Sequence, residues 1–165
     1  MAVETSGETL VDVPRDVAFA FLQDPYRLAA CIPGCRDLRD IGPNRYAAVL
    51  TSRVGFMTLS FTVTIEILGM QAPESIDAAI VGDAIGLVGH VSATASVRLA
   101  DDGGQRTMVR YATDIALTGK LGGLGQPVFR STSAKLAREF GANLKKALEA
   151  PPAKGSALVI PSIET

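Results

Sequence analysis

The 165-residue chain has no tryptophan, one histidine and two cysteines, and only 5% of it is aromatic. A structural zinc site takes four ligands, often as Cys-x2-Cys pairs. Here Cys31 and Cys35 are spaced Cys-x3-Cys with no second pair, and His90 stands alone, so no metal site is expected. The two thiols are close enough in sequence to pair only through a tight, distorted loop. They are expected as free thiols filling a packed corner, with a transient redox disulfide as the weaker alternative. An excess of positive charge is also missing: 16 Lys and Arg stand against 17 Asp and Glu, a formal net charge of −1. Such a chain has no basic field for phosphates, so nucleic acid is excluded as a partner. No apolar run reaches the ~18 residues of a membrane span. The first eight residues are polar and acidic and lack the charged-then-apolar pattern of a signal peptide. These absences lead to the expectation of a cytoplasmic protein.

Catalytic clusters are missing as well, and no catalytic residue is assigned. His90 falls on the polar side of its strand with no nucleophile near it in sequence, which suits a surface histidine better than a general base. Glu66, Asp77, Asp83 and Asp114 fall on outward faces or loops, so the interior holds no carboxylate pair for glycosidase-like work. The glycines between Gly119 and Gly125 do not follow the phosphate-loop spacing. They read as a flexible entry to the last helix, able to gate a cavity.

What is present is an apolar chain, 47% hydrophobic with a positive mean hydropathy. Its length fits one domain, residues 1–150, followed by a loosely ordered tail, 151–165. Val11 and Val13 alternate with Asp12 in a first strand over 7–13, which Pro14 stops. A helix over 16–22 follows, and Asp24-Pro25 caps a second over 26–30 that Pro33-Gly34 ends. From Arg36 the period is two. Tyr46, Ala48, Leu50, Ser52 and Val54 share one face, and Leu59, Phe61, Val63, Ile65 and Ile67 another. Gly82, Gly86 and Gly89 mark a bent or broken region. Val91 to Leu99 alternates again, its inward Ala93 and Ala95 leaving room, and Asp101-Asp102-Gly103-Gly104 is a hairpin. Thr107, Val109, Tyr111, Thr113, Ile115 and Leu117 complete the inner face. A helix over 126–150 carries the stripe Phe129, Leu136, Phe140, Leu144 and Leu148, and Pro151-Pro152 ends it. The expected fold is α+β: a curved antiparallel sheet of about seven strands around a long C-terminal helix, with two short helices after the first strand. The space between helix and sheet is the natural cavity. It is apolar with a few hydroxyls, Ser52, Thr107, Tyr111 and Thr113.

Three pieces of the chain resemble one family. They are Asp24-Pro25-Tyr26-Arg27-Leu28 running into Cys31-Ile32-Pro33-Gly34-Cys35, the Val54-Gly55-Phe56 turn before a Phe-x-Val-x-Ile strand, and Thr118-Gly119-Lys120-Leu121 with Leu124-Gly125 before the last helix. Together they are similar to the carbon monoxide dehydrogenase CoxG family of the START-like helix-grip superfamily (SRPBCC), over about residues 7–150. The resemblance implies a helix-grip fold with a deep apolar cavity. It implies a non-enzymatic protein that binds a lipid or isoprenoid quinone and serves a molybdenum hydroxylase of the CO-dehydrogenase type. Its work there would be membrane recruitment or delivery of an electron acceptor, at the inner face of the membrane. No cofactor is implied beyond the bound quinone or lipid. Face assignment, rather than any known family site, places Ile32 and Pro33 at the cavity mouth. It places Phe56 and Phe61 on the strands, with Tyr111 among the interior hydroxyls. Leu124, Phe129, Leu136 and Phe140 come from the helix side. Some family members carry a longer apolar tail; here Ala157-Leu158-Val159-Ile160 is the tail's one apolar run, too short to anchor stably. Two alternatives stand beside the carrier. One is a START-like enzyme, a cyclase or hydrolase, with Tyr111 or His90 as acid or base; the other is an assembly factor for the hydroxylase.

Overall fold

The computed structural model describes residues 2–119 and 125–149. In chain order the elements are β1 (Ala2–Val11), α1 (Arg15–Leu22), α2 (Pro25–Cys31), β2 (Cys35–Gly42), β3 (Arg45–Val54), β4 (Met57–Gln71), β5 (Ser75–Ala84), β6 (Gly89–Asp101), β7 (Thr107–Gly119) and α3 (Gln126–Glu149). Leu124 and the tail from 150 onward lie outside the described residues.

The local signals act as their chemistry dictates. Asp24 precedes α2, and its carboxylate accepts the backbone N–H groups of Tyr26 (3.0 Å) and Arg27 (3.4 Å). Two of the donors that every helix start leaves unpaired are thereby satisfied. Pro25 follows at the first helical position, where its missing N–H costs nothing. The strands form one antiparallel sheet in the order β1-β7-β6-β5-β4-β3-β2. Short connections join β2 through β7 as successive antiparallel neighbours, and β1 returns to close against β7. β1 and β2 are therefore the two edges.

Two expectations need correction. β1 begins at Ala2 rather than Gly7. Residues 2–6 carry apolar side chains only at Ala2 and Val3, too weak a signal to read as a strand, and their strand is made by pairing with β7, Ala2 opposite Ala116 through Val11 opposite Thr107. Gly82 does not break its strand; it lies inside β5, opposite Val63 and Val91. A Cβ at that position would sit 2.7 Å from the Thr62 carbonyl oxygen and from Val63 Cγ1, so the glycine allows close approach within a continuous strand.

α3 packs chiefly along β1, the edge strand. It approaches β3 at its start, where Val128 lies beside Gly55. α2 bridges the open side of the curl, touching β2 and α3, and the Asn143 amide donates to the Cys31 carbonyl oxygen at 3.0 Å. Gly34 holds the following corner against β3. Its carbonyl oxygen accepts from Thr51 N–H at 3.0 Å, and a Cβ there would collide with the Thr51 carbonyl oxygen. Among the described residues, no helix is long and apolar enough to cross a membrane.

The buried apolar residues form two clusters rather than one. The first holds Val3, Ala48, Val54, Leu59, Phe61, Val63, Leu117 and Phe129. The second holds Val11, Ala18, Phe19, Leu22, Cys31, Ile76, Leu99, Val109 and Leu144. They lie toward opposite ends of the sheet and share no residue.

Candidate functional site

The ladder registers show what lies between the two clusters. Thr5 pairs with Thr113, Thr113 with Ala95, and Ala95 with Ala78. These four side chains lie in one row across β1, β7, β6 and β5, on the same face as the buried core residues, because side chains alternate along a strand. All four are half-buried. On one side of the row stand Val3, Ile115 and Ile80, with the small Ala93 among them; on the other stand Tyr111, Val97 and Ile76. A row of small residues between larger ones is a furrow across the concave face. Helix α3 has the same gap. Its buried residues are Phe129, Gly141 and Leu144, and the first two are separated by about 18 Å at 1.5 Å per residue. Leu136, Ala137 and Phe140 between them are only half-buried. A fully packed core fills such space; here the side chains of the row and of the middle of α3 are only half-buried.

Tyr111 marks one wall of the furrow. Its ring meets Phe140 edge-on, with centroids 5.1 Å apart and planes at 82°, the arrangement favoured by ring quadrupoles. Its hydroxyl donates to the Ala137 carbonyl oxygen at 3.0 Å. Gly7 and Gly141 make the slot for the ring. A Cβ at Gly7 would stand 2.7 Å from Tyr111 Cε2, and one at Gly141 would collide with the hydroxyl oxygen. Burial raises the phenol above its ordinary pKa, because the phenolate loses solvation there. A surface cleft of about 410 Å³ along the β1–α3 seam reaches the same ring, lined by Gly7, Glu8, Arg138 and Gly141 among others.

Other polar groups lie outside the furrow. The His90 ring pairs with Asp83 on the exposed face, Nδ1 to Oδ1 at 3.0 Å. A shallow trough of about 700 Å³ is lined by Glu4, Asp77 and Asp114 and also by the four residues of the row, Thr5, Ala78, Ala95 and Thr113. Glu4, Asp77 and Asp114 alternate with the row residues along their strands, so they belong to the outer side of the sheet, and three carboxylates make that side a poor host for an apolar molecule. Among the described residues no group of three His, Cys, Asp or Glu could hold a metal ion. Cys31 is buried, Cys35 is half-buried and both are free. Burial raises the pKa of each thiol, which makes them poor nucleophiles at neutral pH.

The residues singled out from the sequence divide into groups. Phe61 and Phe129 pack together in the first cluster, at one end of the furrow. Tyr111 and Phe140 stand beside the second. Leu136 lies between the ends, and Ile32 and Pro33 are half-buried at the α2–β2 corner. Phe56 is a correction. Val54 pairs directly with Met57, so Gly55 and Phe56 are the two residues of a hairpin tip. Phe56 is 101% exposed and lines nothing, because the strand alternation that pointed Val54 inward ends before it. Sequence reading missed Thr5 and Ala78 of the furrow, and Gly7 and Gly141 beside it. Single-strand alternation shows room at Ala93 and Ala95, but a row across strands exists only once the register is known.

The profile of the carbon monoxide dehydrogenase CoxG family matches residues 7–149. The chain belongs to the CoxG family. No curated protein sequence matches it. Among solved structures it is similar to a conserved protein from Geobacillus kaustophilus, with 22% identity and a TM-score of 0.79, covering 88% of this chain and 95% of that one. It is similar to the ZhuI aromatase/cyclase from Streptomyces sp. R1128, with 15% identity and a TM-score of 0.68 over 95% and 98% of the two chains. A START superfamily protein from Mycobacterium smegmatis gives 8% identity and a TM-score of 0.68 over 88% and 97%. At these identities the likeness shows the fold, which is the START-like helix grip expected for a CoxG protein.

Proposed function

We propose that this CoxG protein carries an apolar, elongated molecule, a lipid or isoprenoid quinone, in the furrow between α3 and the sheet, and serves a molybdenum hydroxylase of the CO-dehydrogenase type. The observation that supports this reading most is the half-buried row Thr5, Thr113, Ala95 and Ala78 lying between two separate core clusters. Apolar walls with few polar groups suit holding such a molecule by area burial. The family name supports the partner class.

A carrier reading also fits the state of the polar groups. Tyr111, the interior hydroxyl best placed to act as an acid, directs its proton to the Ala137 carbonyl oxygen. His90 is turned to solvent and paired with Asp83. A neighbour of the same fold is an aromatase/cyclase, but a general acid or base must first be within reach of its substrate.

The test is native mass spectrometry and solvent extraction of gently purified protein, followed by titration with a quinone of short isoprenoid tail. Wild type should retain or bind the apolar molecule. Ala95→Leu fills the furrow with three more carbon atoms and should abolish binding while the thermal midpoint holds. Undiminished binding by a folded Ala95→Leu variant, or no binding by wild type, overturns the reading.

A further inference from the structure

The two edges of the sheet are guarded differently. Along β2 the register shifts between Arg36 and Arg39, and Asp37 there takes a φ of 59°. Such a bulge, with charged side chains beside it, blunts an edge against further pairing. β1 instead pairs with β7 in unbroken register from Ala2 to Val11. In a regular antiparallel edge strand, every second residue turns both its N–H and its C=O away from the neighbouring strand. Contacts with α3 show which residues these are. Gln126 Nε2 donates to the Ala2 carbonyl oxygen at 2.7 Å, and Lys145 Nζ donates to the Leu10 carbonyl oxygen at 2.9 Å. The Glu149 carboxylate accepts from Asp12 N–H. The helix thus caps the free edge at both ends. Between the caps, the outward N–H and C=O groups of Glu4, Ser6 and Glu8 have no hydrogen-bond partner among the described residues. The cleft of about 410 Å³ along the β1–α3 seam opens beside them, with Ser6, Gly7 and Glu8 on one wall and Ala134, Ala137 and Gly141 on the other.

We propose that the middle of this edge, Glu4 to Glu8, takes up an extended, basic peptide segment of another protein as a further strand. A run of outward N–H and C=O groups in register is what such a strand binds through its main chain. Charge selects the peptide. On the outer face Glu4 stands directly opposite Asp114, and neither carboxylate is paired with a cation among the described residues. Like charges directly opposite each other destabilise a ladder, and a Lys or Arg on the incoming strand becomes the second cross-strand neighbour of Glu4 and offsets that repulsion. The alternate side chains of the strand turn into the seam beside Gly7 and Ala137, which suits β-branched apolar residues. The same charges disfavour a second copy of this chain: two β1 edges paired antiparallel about Ser6 would set Glu4 against Glu8. This site is separate from the furrow and does not depend on what the furrow holds.

The test titrates the blocked hexapeptide Lys-Val-Lys-Val-Lys-Val into the isotope-labelled full chain, followed by amide NMR and hydrogen exchange. The amide signals of Glu4, Ser6 and Glu8 should shift and their exchange should slow, while those of Arg36 to Asp40 on β2 stay as they are. Ser6→Pro removes one outward donor at a kind of edge position that tolerates proline, and it should abolish the response. Glu4→Lys leaves the ladder untouched at an exposed position. It should weaken binding of the basic peptide by about three- to tenfold, as a favourable cross-strand pair becomes an unfavourable one, and turn the preference toward Glu-Val-Glu-Val-Glu-Val. Quinone titration keeps the two sites apart. Peptide binding lost in Glu4→Lys with quinone binding retained supports the edge site. Peptide binding by wild type that takes no quinone also supports it, and overturns the furrow alone. Unchanged β1 amides, an equal response in folded Ser6→Pro, a Glu4→Lys variant that still prefers the basic peptide, or self-association of wild type that protects the same amides overturns the proposal.

Discussion

The hydroxyl of Tyr111 on β7 donates to the carbonyl oxygen of Ala137 on α3, 3.0 Å away. This bond pins the helix to the sheet across the interior, beside the furrow, and it occupies the one phenol that faces the site. Tyr111→Phe keeps the ring and its edge-on contact with Phe140 but removes the donor. It is expected to lower stability in urea by about 0.5–1.5 kcal/mol, the net worth of one such bond. Quinone binding should persist. If the variant instead abolished a turnover activity at unchanged binding, the carrier reading would give way to the enzyme reading.

Gly141 faces the same hydroxyl. Alanine is the better helix former by about 0.5–1 kcal/mol, so propensity alone forecasts a gain from Gly141→Ala. The added Cβ would collide with the Tyr111 oxygen, and overpacking of this kind costs about 1–3 kcal/mol. Net destabilisation is expected, measured as a lower midpoint in chemical denaturation. It should be largely relieved in the double variant with Tyr111→Phe, which removes the oxygen that collides.

The corner from Cys31 to Cys35 separates thiol chemistry from packing. Both thiols are raised in pKa by burial, so they should alkylate slowly at neutral pH. Cys31→Ala with Cys35→Ala should leave quinone affinity unchanged. Ile32→Glu places a carboxylate at a half-buried position of the same corner and should weaken that affinity. Equal affinities for Ile32→Glu and wild type would remove the corner from the site.

Glu149 ties the end of α3 to the β1–α1 junction. Its carboxylate accepts from Lys145 Nζ at 2.8 Å and from Asp12 N–H at 2.9 Å. The hydrogen bond from Lys145, then that from Asp12, hold its pKa below the ordinary carboxylate value. A depressed folded pKa stabilises above the unfolded pKa, and the contribution is lost as pH falls through the folded value. The thermal midpoints of wild type and Glu149→Gln should therefore differ most near neutral pH and converge in acid. A difference that grows in acid would contradict the assignment.

Much of the architecture is legible along the chain because it is local. The Asp24-Pro25 start of α2, the Asp101–Gly104 hairpin and the alternation of β4 each follow from residues within a few positions of one another. Phe129, Phe140 and Leu144 share a stripe because a helix repeats every 3.6 residues. What fails is what depends on partners far away. The start of β1 at Ala2 needs β7, and the continuity of β5 through Gly82 needs β4 and β6. Phe56 escapes because alternation says which side a strand residue takes, and says nothing of the side chain at a two-residue tip.

The sequence by itself determined the class of fold and its inner and outer faces, since these rest on periodicity and on residue types. Only the tertiary structure decided which small, half-buried side chains stand together. Thr5, Ala78, Ala95 and Thr113 are ordinary residues on their own strands. They become one half-buried row when three registers place them side by side and α3 settles over the β1 edge.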